Sequence, residues 1–535
     1  MGLFRSSPED ALAKEVSKAV AQAMRGGAKA QGGGGGVETK WRGASRVLRS
    51  MSSWIPTLGS PSSDLSTPER KTLVARSRDA QRNHLIGRAA VVRNRTSVVG
   101  TGLMCRPQVD FAALDITEDE GEALNDALER EWVLYAEDPR ECDAEATLNH
   151  YQLQALALIS ALSGGDSFAL TPTVDRVGTV YSTRLQLIET DRVCNPNGRM
   201  DTPTMVEGIE FDEFGAPINF HVCSGYPTDR TSGKQLTWSP VRVFGESTGR
   251  RRAMQIWCDK DRPGQKRGAP LLAPVLEPLQ KLERYSSAEL MAAIVSAMFT
   301  VFLEKGEHFD PGSLELEAFG EEDPVSGGAD GGRDVALGEG AVVDLAQGEK
   351  AVSVNPARPN AQFDPFFTSI VKEIGAAIEM PMEELMLFYS SSYSAARAAM
   401  LQAWRAYEMR RYWLVCDFCQ PSYELLVDEA VALGRVSLPG YSDPARRRAF
   451  TRSVWTGPAR GAIDELKEAK AARERIDAGL SNETIETPSL TGETWRQVYS
   501  GRKRELAMRR ADGNMPIVKG AQALPVEPEA EEEDK

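Results

Sequence analysis

Histidine is nearly missing from this chain: four residues in 535, at positions 84, 150, 221 and 308. None lies near another, so imidazole-rich metal sites and hydroxyl or thiol nucleophiles with an imidazole base have little to draw on. HExxH does not occur, and the one GxSxG match, GESTG at 245–249, has no histidine within twenty residues to serve it as a base. The seven cysteines, at 105, 142, 194, 223, 258, 416 and 419, are odd in number and scattered. The opening MGLFRSSPEDALAKEVSKAV has no apolar core, so the chain reads as one without a secretion leader, in a reducing, intracellular compartment. Cys416 and Cys419 form one CxxC with no second pair, and inside an apolar helical pattern they read as buried thiols rather than zinc ligands. Long apolar runs are lacking too. LMAAIVSAMFTVFL, residues 290–303, falls short of the roughly 20 residues a membrane span needs and reads as a buried helix. Excess positive charge is also absent: the formal charge is −14. That excludes a protein coating nucleic acid with its whole surface, but leaves room for a local basic patch or an acidic channel that repels DNA.

What remains is an ordinary globular composition, 41% hydrophobic and 26% charged. The first 67 residues read as a flexible arm, with an amphipathic stretch at 9–25 and GGAKAQGGGGG at 26–36. Residues 1–110 carry about +10 and residues 111–150 about −11, blocks able to pair with each other or across subunits. Residues 69–99 predict one helix stopped by Gly100 and Gly102. Residues 117–136 predict a second, with Thr117 as N-cap and acids in its first turn, and 147–163 a third. Then the period changes to alternation. SFALTPTV, STRLQLIET, MVEGIEFDEFGAPINFHV and SPVRVFGE predict antiparallel strands, with a hairpin turn at 212–215. Helix is predicted again over 270–304 and 364–379, around an acidic, glycine-rich segment at 305–360. A helix from about 393 could run to Leu433, about 60 Å if unbroken, with a kink at Pro421. Charged helices at 458–478 and 491–511 precede the tail PVEPEAEEEDK, which reads as disordered. The fold class is α+β, mainly helical.

Few groupings carry chemistry. SGKQ at 232–235 resembles the end of a phosphate-binding loop, but Thr228 and Gln235 stand where that motif needs Gly and Ser or Thr. The pairs Glu118/Glu122 and Glu383/Glu384 read as helix N-terminal charges. Ser390, Ser391 and Ser392 have no base at motif spacing and read as a loop and helix cap. In the helix that follows, Arg397, Arg405, Arg410 and Arg411 alternate with Met400, Leu401, Trp404, Tyr407 and Tyr412, predicting one basic and one apolar face. No catalytic, cofactor-binding or metal residue is nominated. Two other readings are a divalent-metal nuclease using the acids at 304–323, and a protein-binding scaffold without a channel.

One stretch, WCDKDRPGQKRGAPLLAPVLEPLQKLERYSSAEL at 257–290, closely resembles the signature of lambda-type bacteriophage portal proteins. Four further stretches resemble the family in the same order: RSRDAQRNHLIGRAAVVRNRTSVVGTGL (76–103), LQLIETDRVCNP with VEGIEFDEFGAPINFHV, YSAARAAMLQAW (393–404), and WTGPARGAIDELKEAKAARERIDAGLSNETIE (455–486). Asp464-Glu465 departs from the family's Asp-Pro, and MLFYSSSY from its usual acidic and Asn residues before YSS. The resemblance implies a portal fold assembling into a ring, usually of twelve subunits, at one capsid vertex, through which double-stranded DNA is packaged and ejected. It implies no enzyme activity, no cofactor and no membrane. Its partners would be the terminase large subunit, head–tail adaptor proteins and the major capsid protein, in a virion assembled in the host cytoplasm. It further implies an α/β wing at 68–268, stem helices at 269–304 and 361–380, a clip at 305–360, a tunnel loop at 381–393, a wing spine helix at 394–454 and a crown at 455–512, before an acidic tail at 513–535. Tyr389, Ser390, Ser391, Ser392 and Tyr393 would face the DNA channel. Arg262, Pro263, Gly264, Gln265, Arg267, Gly268, Arg397 and Arg405 would serve structure or the subunit interface, with Arg397 bracing the ring.

Overall fold

The computed structural model describes residues 42–298 and 360–511, apart from 46–47, 57, 230–234, 361, 390–391, 461–463 and 494. Most of the glycine-rich arm, the 305–360 segment bar Asn360, Ser390, Ser391 and the acidic tail therefore lie outside the described residues. The chain divides into two compact units at Ser60/Pro61. In the first, a short 3-10 turn covers Arg42–Ala44. All that follows concerns the second.

The predicted first helix is two. Helix α1 covers Thr67–Asn83 and α2 covers Leu85–Val98. His84 between them is extended, with φ −98° and ψ 123°. Its ring explains the break. Nδ1 accepts from Gly87 N–H at 3.4 Å, capping α2, so Nε2 is the protonated nitrogen and donates to Leu279 O at 2.8 Å. Helix α2 ends as predicted at Gly100, whose φ of +58° and N–H bond to Arg95 O at 3.0 Å close the last turn. Strand β1, Met104–Pro107, then leads to α3, Glu118–Glu137. Thr117 caps α3 reciprocally with Glu120. The third predicted helix starts later than expected: α4 covers His150–Gly164, capped by Asn149 with Gln152. The Asp143 carboxylate holds the N–H groups of Thr147 and Leu148 at 2.9 and 3.0 Å in a loop, which delays the first turn.

The alternating segments are strands, all antiparallel. Strand β2 (Asp166–Leu170) lies between β3 (Gln186–Glu189) and β8 (Ala253–Trp257). A second sheet runs β4 (Met205–Val206), β5 (Ile209–Phe211), β6 (Pro217–Cys223), β7 (Trp238–Arg242). The predicted hairpin joins β5 to β6, where Gly215 N–H donates to Asp212 O at 3.0 Å. Phe168, Ile188, Ile209 and Phe220 form a small core of these sheet segments, separate from the larger helical one.

Helix α5, Leu276–Met298, is followed after the gap by α6 (Phe363–Ala377), α7 (Met382–Met386) and α8 (Tyr393–Leu414). Helix α8 continues through a π turn at Val415–Cys419 into α9, Gln420–Ala432. Pro421 has no N–H to donate, and its ring would press on the carbonyl four residues back. The chain widens by one residue just before it: Gln420 N–H reaches Val415 O, five residues behind. Helix α10 (Pro444–Phe450) precedes β9 (Ser453–Thr456). Strand β9 pairs with β1 across some 350 residues of chain, a pairing no local pattern predicted. Three helices end the described chain: α11 (Glu465–Asp477), α12 (Glu483–Thr491) and α13 (Trp495–Ala511).

Candidate functional site

The signature stretch folds into a buried electrostatic joint. It leaves β8, turns through residues 258–272 and enters α5. Gln265 fixes the turn: its carbonyl accepts from Asp261 and Arg262 N–H at 2.9 and 3.2 Å, and its amide donates to Arg267 O at 3.0 Å. Arg262 pairs with Asp64, and Pro263 is exposed. Gly264 takes a φ of +79°. Lys266 donates to Gly215 O at 2.8 Å and sits 3.8 Å over the Phe211 ring.

Arg267 is buried and uses its whole guanidinium. It grips Asp166 with two bonds, 2.8 and 3.1 Å, and donates to the carbonyls of Val193, Glu207 and Thr190 at 3.0, 2.8 and 3.0 Å. Thr190 Oγ1 accepts from Arg267 at 2.6 Å and donates to Asp166 at 2.5 Å. Arg70 of α1 closes the group, donating to Glu207 at 2.6 Å and to Thr190 Oγ1 at 3.0 Å. Two cations and two anions thus balance in a buried site. Burial alone would raise the Asp166 carboxyl, but Arg267 and Arg70 outweigh it and hold the group below its ordinary range. Burial likewise works against charge on Arg267, and Asp166 and Glu207 overturn it. Gly268 lies back to back with Gly165: a Cβ on Gly268 would fall 2.0 Å from Gly165 O. The joint therefore ties α1, the end of α4 and both sheets to the segment entering α5. Arg70, Asp166, Thr190 and Glu207 were not singled out from sequence. Each sits far from the motif along the chain, and no spacing signals it.

The second region surrounds the loop before α8. Glu379 and Leu387 take positive φ, 59° and 53°, setting α7 off as a single bent turn. Leu387, Phe388 and Tyr389 then stand in solvent, Phe388 at 59% exposure. Ser392 caps α8, accepting from Ala395 N–H at 3.4 Å, as its position predicts. Tyr393 is the first residue of α8. The predicted division of α8 into a basic and an apolar face does not hold. Arg410 is buried, bonded to Asn94 Oδ1 at 2.9 Å, Ile378 O at 3.2 Å and Glu379 at 3.2 Å. Arg411 donates to Val98 O and Ser97 O at 3.0 and 3.1 Å, capping the end of α2. Tyr412 instead faces solvent. Arg397 pairs with Glu468 of α11 in its own chain, joined by Arg460. Arg405 is exposed at a cavity of about 550 Å³ between α6, α7 and α8, 3.4 Å from Gln402 Oε1.

The acidic block at 111–150 finds cations later in the same chain. Glu131 pairs with Arg435, and Glu122 and Asp126 both pair with Arg496. Cys416 is exposed and Cys419 buried, both free. Among the described residues no three His, Cys, Asp or Glu side chains gather as metal ligands, and no helix is long and apolar enough to cross a membrane.

The pattern of phage portal proteins of the lambda family matches residues 48–411. Portal protein B of Escherichia phage lambda is 25% identical over 467 residues, covering 84% of this chain and 86% of that protein. The portal protein of Escherichia phage N15 is 26% identical over 515 residues, covering 92% of each. Among solved structures, the neck of a native gene transfer agent particle computed with C12 symmetry aligns over 78% of this chain and 93% of its own, at 12% identity and a TM-score of 0.37. The virion of a native gene transfer agent particle aligns over the same shares at 15% identity and a TM-score of 0.35. The match over residues 48–411 takes in the Arg267 joint, the turn that leads into α5 and most of α8, and on that match the chain belongs to the lambda family of phage portal proteins.

Proposed function

We propose that copies of this chain close into a ring, of twelve subunits, at one vertex of a phage capsid, and that double-stranded DNA enters and leaves through its axial channel. The protein would be part of the virion, assembled in the host cytoplasm. Terminase large subunit, head–tail adaptors and the major capsid protein would dock on it. The family membership carries this reading, and one physical observation supports it. Helices α5 and α6 meet through Tyr285, stacked on Phe363 at 5.4 Å and edge-on to Phe366 at 5.0 Å. Yet Leu290, Met291, Ile294 and Phe366 remain in solvent, Leu290 at 64% exposure. An apolar helix face of that kind asks for cover, and neighbouring copies in a closed ring would supply it.

In this reading α5 and α6 are the stem, residues 305–360 the clip, residues 381–393 the tunnel loop with Tyr389 to Tyr393 toward the DNA, α8 and α9 the spine, and α11 to α13 the crown. The Arg267 joint would hold the wing rigid against the stem while DNA passes. The chain would act without catalysis or cofactor. Electron microscopy of the purified protein tests the assembly. Class averages with an open centre and about twelvefold symmetry are expected. Monomers or dimers under every buffer condition would refute it.

A further inference from the structure

Helix α13 is strongly basic. It carries Arg496, Arg502, Lys503, Arg504, Arg509 and Arg510 against a single acid, Glu505, in a chain of formal charge −14. Its start is anchored. Trp495 donates to Glu483 at 2.6 Å and stacks on Tyr499 at 4.8 Å, while Arg496 pairs with Glu122 and Asp126 of α3. Beyond that anchor the helix projects: from Arg502 to Ala511 every residue except Leu506 is exposed. Among the described residues none of Arg502, Lys503, Arg509 or Arg510 forms an ion pair.

At 100° per residue, positions 502, 503, 509 and 510 share a sector of about 120°, over about 12 Å of helix. The helix dipole accounts for Arg509 and Arg510 in the last turn, but its effect does not reach back to Arg502 and Lys503. Four cations crowded on one face repel one another, and no fold contact compensates. Guanidinium and ammonium groups in a row in water, four of them flanked by the single carboxylate of Glu505, match a line of phosphates.

We propose that this stripe binds the phosphate backbone of duplex DNA, in a manner indifferent to sequence. The proposal rests on the portal reading for the presence of DNA, and adds that the last described helix, not only the channel loop, touches it. A channel through which DNA slides and a basic helix that gives it a weak, salt-sensitive hold are compatible.

The test is fluorescence anisotropy of the full chain with a labelled duplex of about 30 base pairs, from 50 to 200 mM salt. The variant R502Q/K503Q/R509Q/R510Q should bind at least 10-fold more weakly at the lowest salt. Each lost phosphate contact flattens the slope of log K against log salt by about 0.9, so a change of about 3 to 4 is expected. Replacing the three arginines with lysine should retain the slope. Equal affinity and slope for wild type and glutamine variant would overturn the proposal, as would a wild-type chain that binds no duplex at 50 mM salt. So would a stripe that binds a peptide of residues 525–535 and leaves the duplex free, which would assign the face to an acidic protein segment. Electron microscopy of the same samples separates the two readings. Rings in the variant with DNA binding lost support this one, whereas a wild type without rings removes the channel and leaves the anisotropy comparison to stand alone.

Discussion

Arg267 shows why a basic residue in a family signature need not face DNA. Its five N–H donors are all placed on buried acceptors of its own chain. Replacing it with Met should cost about 3 to 5 kcal/mol, because Asp166 would stay buried without its counter-charge. Urea unfolding midpoints would measure this, and Arg267→Lys should recover only part, since an ammonium cannot span both Asp166 oxygens and three carbonyls. A pH dependence follows from the same site. The Asp166 carboxyl titrates lower in the folded chain than in the unfolded one. Its contribution is therefore complete above the unfolded value, about 4, and drains away as pH falls through the lower folded value. Stability of the wild type should fall steeply below pH about 4, and more gently in Asp166→Asn, as acid titration followed by circular dichroism would reveal.

Single elements carry their own consequences. The π turn at Val415–Cys419 places Asp417 against β8, where it accepts from Trp257 N–H at 3.1 Å. Burial raises its carboxyl to about 6, against the opposing pull of the Trp257 bond, Arg251 and Lys260. Here the sign reverses. The folded chain holds a proton that the unfolded chain has lost, so Asp417 stabilises less as pH rises from about 4 through about 6. Asp417→Asn keeps the acceptor and removes the charge. It should gain on wild type in thermal unfolding as pH is raised from 5 to 7, and a constant offset between the two would refute the assignment. Element starts and stops were legible where the device is local, as with Thr117, Ser392 and Gly100. They were not legible where a distant group intervened. His84 breaks a helix because Leu279 offers it a carbonyl, and Asn149 displaces Thr147 because Asp143 takes the earlier N–H groups. Helix α12, with Pro488 inside it, gave no periodic signal of its own.

For the whole molecule, the exposed apolar face of α5 is the feature that one subunit leaves unresolved. Leu290→Glu with Ile294→Glu should leave the thermal unfolding of the subunit within about 0.5 kcal/mol of wild type, as surface substitutions do. If the proposed ring is sealed by this face, then in sedimentation velocity the same variant should run as monomer where the wild type runs as a ring. A variant that still forms rings would show that this face is not between subunits. The opposite-sign blocks near the start of the chain, by contrast, do not need an assembly to find partners: Arg435 and Arg496 reach the acids of α3 within one subunit.

The amino-acid sequence by itself determined the family, the change from helical to alternating period and back, and the caps. These are written in neighbouring residues, where spacing of two or of three and four decides which face is buried. Only the tertiary structure decided what each charge does. Arg410 and Arg411 lie on a helix whose pattern reads as half basic, yet both turn inward, one to Asn94 and the other to the carbonyls that end α2. Arg397 and Glu468 are 71 residues apart, Arg267 and Asp166 are 101. A carboxylate or carbonyl at such a distance leaves no periodic mark on the residue it will hold, because the pairing depends on which elements pack together and not on where either residue stands in its own helix or strand.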